Sequence, residues 1–147
     1  MLAALGGGRL AVPPEQRAPG PASSADSGGF ANRYRRAGAS ARAVVSRPEG
    51  EWTVGVLVQD LVPPPDDAAI KSAGAAMAEQ PDADPAYSAA IGSDAQAWGY
   101  PSAQGLLAVA RLRDGTVAKI DINTGSSAAS RDALWAGALA VARSLNE

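Results

Sequence analysis

Between Glu51 and Leu61 the chain alternates, with Trp52, Val54, Val56 and Val58 on one parity and Thr53, Gly55, Leu57 and Gln59 on the other, and prolines occupy 63–65 directly after. Period-two spacing of β-branched and aromatic residues marks a strand with one buried face. Leu57 on the second parity makes it a central strand, or one whose other face is partly covered. Proline has no N–H to give a ladder, so residues 63–65 end the strand. Every fold open to this sequence therefore holds a strand at 51–61 and a change of element just beyond it.

The elements on either side follow from the same patterns. Ala43–Arg47 is a short apolar-rich run, and Pro48-Glu49-Gly50 is a turn into the strand. Asp66 is placed to cap a helix from Asp67 to about Glu79, with Ile70, Ala73, Met77 and Ala78 as its apolar stripe. Residues 80–93 read as an acidic, proline-punctuated connector anchored by Ile91, and Trp98-Gly99-Tyr100-Pro101 as a loop. Leu106–Arg113 and Thr116–Asn123 read as strands joined by Asp114-Gly115, the dipeptide of a two-residue type I′ hairpin turn. Ser130 then caps a helix over Arg131–Leu145, with Leu134, Ala138, Val141 and Leu145 on one face. The predicted fold is α+β: an antiparallel sheet of two hairpins in ββα-ββα order, with two helices packed on one face.

Core material bounds the domain. Of the 147 residues 46% are hydrophobic, but alanine supplies half of these, and of the 34 larger apolar side chains 27 lie after position 40. That supports one domain of roughly 100 residues. Residues 1–40, broken by Gly6–Gly8, by Pro13-Pro14 and by a Ser/Gly stretch, are expected to be a flexible tail, and 41–147 a single domain.

Several function classes fall away. With no Cys and no His, thiol and imidazole catalysis, Cys/His zinc sites and disulfides are excluded. The net charge is −2, although positions 1–48 carry +5 and the remainder −7. The basic cluster Arg33, Arg35, Arg36, Arg42 and Arg47 reads as a solvated segment against an acidic domain, and the acidic pI opposes nucleic-acid binding. No run approaches the ~18 apolar residues of a membrane span, so membrane attachment would need a segment outside this chain. Asp121, Asn123, Ser127 and Asp132 imitate a calcium loop, but the glycine stands at position 5 instead of 6 and a strand precedes it. They read as a polar strand-to-helix connection. Asp82 and Asp84 with Asp66 and Asp67 read as solvated loop acids. No metal site, cofactor or catalytic residue is expected.

The succession VLVQDL at 56–61, DDA at 66–68, IGSDA at 91–95, RLRDGTVAKIDI at 111–122 and the alanine-rich helix Asp132–Leu145 resembles the extracytoplasmic sensor-like domains of actinobacterial lipoproteins and of some actinobacterial Ser/Thr kinases. The resemblance covers about residues 42–146, and its phrases are structural, none of them a catalytic signature. The chain lacks the lipidated cysteine of a lipoprotein and the disulfide cysteines of kinase-linked members. What the resemblance implies is a non-catalytic, extracytoplasmic ligand-binding or sensor-like domain in the cell envelope or secreted.

Two other classes stand beside it: a protein–protein interaction module, and a carboxylate-dependent hydrolase. For a binding module, with an unidentified small ligand or a protein as partner, the expected site joins the two units. It would comprise Trp98 and Tyr100 as exposed aromatics, with Asp66, Asp67 and Ser130 at the two helix starts; the other reading of Trp98 is an indole folded back over the sheet end.

Overall fold

The structure, a computed structural model, describes residues 1–22, 30–80, 84–125 and 129–147. Strand β4 (Gly50–Val62) pairs along its whole length with β3 (Tyr34–Arg47), from Arg47 opposite Gly50 to Tyr34 opposite Val62. The strand parity visible in the sequence is thus the real one. Trp52 and Val54 are fully buried on one face, while Gly55, Leu57 and Gln59 point to the other.

Further strands extend the sheet on both sides. β1 (Arg9–Arg17) and β2 (Gly20–Pro21) pair with β3; β8 (Val117–Asn123) pairs with β4; and β7 (Gly105–Arg111), β6 (Ala95–Pro101) and β5 (Tyr87–Gly92) follow outward. The order is β1-β3-β4-β8-β7-β6-β5, antiparallel throughout. Helix α1 (Asp67–Met77) lies on β6 and β7. Helix α2 (Arg131–Leu145) lies across β5 to β8 and meets the short 3₁₀ turn Ala3–Leu5.

The molecule is α+β, but the two-hairpin sheet with both helices on one face is overturned. Among the described residues the sheet has eight strands, and the helices cover opposite faces. One core cluster joins Trp52, Val54, Leu106, Ile120 and Ile122 to Leu134, Ala138 and Val141 of α2. The other joins Leu61, Trp98, Tyr100, Val109 and Val117 to Ile70 and Ala73 of α1. The cause lies in β7, whose residues Gly105–Ala110 are all buried. A strand apolar on both parities must be covered on both sides, and one layer of helices cannot do that.

Three local expectations also change. Tyr87–Gly92 of the expected connector and the Trp98–Pro101 loop belong to the hairpin β5–β6, hidden from strand propensity by alanine and glycine. The boundary expected at residue 41 falls inside β3; Arg9–Arg17 form a strand, and Leu5, Ala22 and Phe30 are buried. There the ladder with β4 and β1 orders residues whose side chains carry no apolar alternation. Finally, the β7–β8 connection is not type I′. Gly115 has φ 86°, but Asp114 does not share the positive φ that a type I′ turn requires. The Gly115 amide donates to the Leu112 carbonyl and the Leu112 amide to Thr116, as in a type I turn followed by a left-handed glycine. The Asp114 carboxylate fixes this form by accepting from the Thr116 amide and hydroxyl.

Candidate functional site

The expected site residues are not brought together. Trp98 and Tyr100 alternate along β6 and are buried beneath α1, at 5% and 1% exposure. The Tyr100 hydroxyl donates to the Lys71 carbonyl at 2.8 Å, and burial pushes this phenol above its ordinary pKa. Asp66 accepts from the Ala69 amide at 2.8 Å, and Ser130 from the Ala133 amide at 3.1 Å, so both act as helix caps. Asp67 pairs with Arg111 at the end of β7.

Topology separates the two helix starts. α1 follows the end of β4 and α2 the end of β8, and these neighbouring strands run antiparallel, with Thr53 opposite Asn123 and Gln59 opposite Val117. The two loops therefore leave opposite ends of the sheet, on opposite faces, and the shallow aromatic pocket expected between them does not form. Asp82 and Ser127, weighed as possible metal ligands, lie outside the described residues. Among the described residues no group of three or more acidic side chains is placed to hold a metal.

What the fold does leave open is half of the α1 face. One 11-residue helix shields β6, β7 and the Gln59–Leu61 end of β4, and among the described residues no helix lies over β1, β3 and the Gly55 end of β4 on this face. A groove of about 360 Å³ runs there. Its floor is set by strand register. Arg42 on β3, Gly55 on β4 and Asp121 on β8 form one cross-strand row; Ser40, Leu57 and Lys119 form the next. Val12 and Arg17 of β1 close the outer side.

Gly55 sets the depth of this floor. A β-carbon there would stand 3.9 Å from the Arg42 Nε, so the guanidinium lies beside the opening that the glycine leaves. At the backbone Arg42 and Asp121 are two interstrand spacings apart, roughly 10 Å, with Gly55 between them. Among the described residues Arg42, Lys119 and Asp121 form no ion pair and no side-chain hydrogen bond. This contrasts with Arg36, which reaches Asp60 through two bonds of 2.7 and 3.2 Å.

Leu57 and Lys119 also line a smaller cavity of about 10 Å³, tucked beneath α1 against Ile70, Met77 and Val109. Gln59 lines it too. This side chain is 3% exposed, and its Nε2 has no hydrogen-bond partner among the described residues. An unmet buried donor costs about 1–3 kcal/mol, a cost that core packing alone would remove by placing an apolar residue there.

Sequence reading missed Arg42, Gly55, Gln59 and Lys119 as a set. The available signal was the second parity of β4, where glycine and glutamine flank Leu57. Parity alone could not say whether a helix covers that side.

Fold and groove together define a single-sheet α+β domain with one helix on each face and an open, polar-walled groove beside one of them. Comparison with protein-family models, curated proteins and solved structures finds no match.

Proposed function

We propose that this chain is a non-catalytic binding domain whose ligand surface is the groove over β1, β3, β4 and β8. The observation that carries this reading is the charge set Arg42, Lys119 and Asp121, which forms no ion pair among the described residues and is held on neighbouring strands around an open floor. A non-catalytic role is supported by the absence of Cys and His and of any sequence context that activates a serine. The sensor-like and extracytoplasmic character is a proposal that rests on the resemblance of residues 42–146 to actinobacterial envelope domains.

The interaction-module reading has one observation of its own: Leu10 and Val12 are exposed on the edge strand β1. Strand addition there is opposed by Pro13 and Pro14, which lack donors, and by the register shifts between Leu10 and Glu15. The groove is the better-supported surface.

A fragment screen followed by ¹⁵N-resolved NMR tests the proposal. Bound fragments are expected to shift the amides of 40–42, 55–57 and 119–121 above all others. Shifts confined to β1, with none at the β3, β4 or β8 positions of the groove floor, would overturn it.

A further inference from the structure

Resting on that groove reading, we infer that the ligand is a small organic carboxylate with an apolar body, lying across β3, β4 and β8 with its acid group between Arg42 and Lys119. Two cationic donors line this groove without an ion-pair partner among the described residues: the Arg42 guanidinium and the Lys119 ammonium. A carboxylate offers about four lone-pair sites and takes Arg bidentately, so one group can satisfy donors approaching from different strands. Between the two cations the floor is Leu57 and the dip at Gly55, with Val12 at the outer wall, which suits an aliphatic or aromatic body better than a second charge. The volume of about 360 Å³ admits a molecule of drug-fragment size.

Among the described residues Asp121 is the one acid lining the groove, and Glu15 stands on the same face in register with Ser40. They set the orientation. An acid group placed on the Arg42–Gly55–Asp121 row would approach Asp121, whereas one on the row of Lys119 gains the ammonium and keeps the guanidinium within reach. Asp121 thus disfavours dianions and leaves room for a neutral or hydroxylated end.

Three isosteric probes distinguish this inference from the groove reading: 2-naphthoate, 2-naphthamide and 2-naphthylmethylammonium, titrated by NMR against the full chain. The carboxylate is expected to saturate with shifts at Arg42, Gly55, Leu57 and Lys119, and the amide to bind about tenfold more weakly or worse. K119Q and R42Q should each weaken 2-naphthoate about tenfold, while D121N should tighten it about threefold, a sign that loss of structure cannot produce. Amide binding as tight as the acid, tighter binding of the ammonium, or D121N weakening the acid would overturn the carboxylate assignment and leave the groove standing. If none of the three probes shifts the groove at millimolar concentration, the groove reading itself falls.

Discussion

Gly99 lies directly beneath the indole of Trp135: a β-carbon at position 99 would stand 2.8 Å from two of the ring carbons. The ring also stacks on Tyr87, centroids 5.3 Å apart, and the Tyr87 hydroxyl donates to Asp132 at 3.0 Å. Tyr87 and Gly99 are register partners on β5 and β6, so the indole rests on a glycine and against its tyrosine neighbour. The small residues that disguise β6 as a loop are what let α2 approach the sheet.

Substituting alanine for Gly99 should therefore destabilise the domain by about 1–3 kcal/mol, the usual cost of overpacking. Urea unfolding measures it, and near-UV circular dichroism reports the displaced indole. An unchanged midpoint would mean that Trp135 swings aside freely and that α2 is not seated on Gly99.

Beneath α1, Tyr100→Phe removes the bond to the Lys71 carbonyl and should cost about 1 kcal/mol, and Trp98→Ala about 3–5 kcal/mol. Both read out in denaturant midpoints. Losses below about 0.5 kcal/mol at both positions would return these aromatics to the surface.

Deleting residues 1–38 removes β1, β2 and the first residues of β3, together with the buried Leu5, Ala22 and Phe30. The expected result is a melting temperature lower by more than about 10 °C, or loss of the cooperative transition. A truncated chain melting within a few degrees of the full one would make the tail dispensable, as its composition implies.

At the β7–β8 turn, hydrogen bonds from the Thr116 hydroxyl and amide hold the Asp114 carboxyl below its ordinary pKa. A depressed folded-state pKa gives stability that is present above the unfolded value, about 3.9, and fades as pH falls through the lower folded value. Carbon-detected NMR titration should place the Asp114 midpoint below 3.9, and Thr116→Ala should move it upward. A wild-type midpoint at or above 3.9 contradicts the turn geometry.

By itself the sequence determined the elements whose periodicity is local: β4 from the Trp52–Val58 alternation, both helices with Asp66 and Ser130 as their caps, and the strands either side of Asp114-Gly115. It also determined the chemical exclusions, since absent Cys and His need no fold to interpret. Tertiary structure decided the rest. β5, β6 and the N-terminal half of β3 are strands because neighbouring strands supply ladder bonds and a helix needs small residues beneath it, and neither condition is written in their own propensity. The helices take opposite faces because β7 is apolar on both parities, and the antiparallel pairing of β4 with β8 sends their exits to opposite ends. The groove belongs wholly to this second class: Arg42, Gly55 and Lys119 come from three strands up to 77 positions apart, joined by register and left uncovered by where α1 stops.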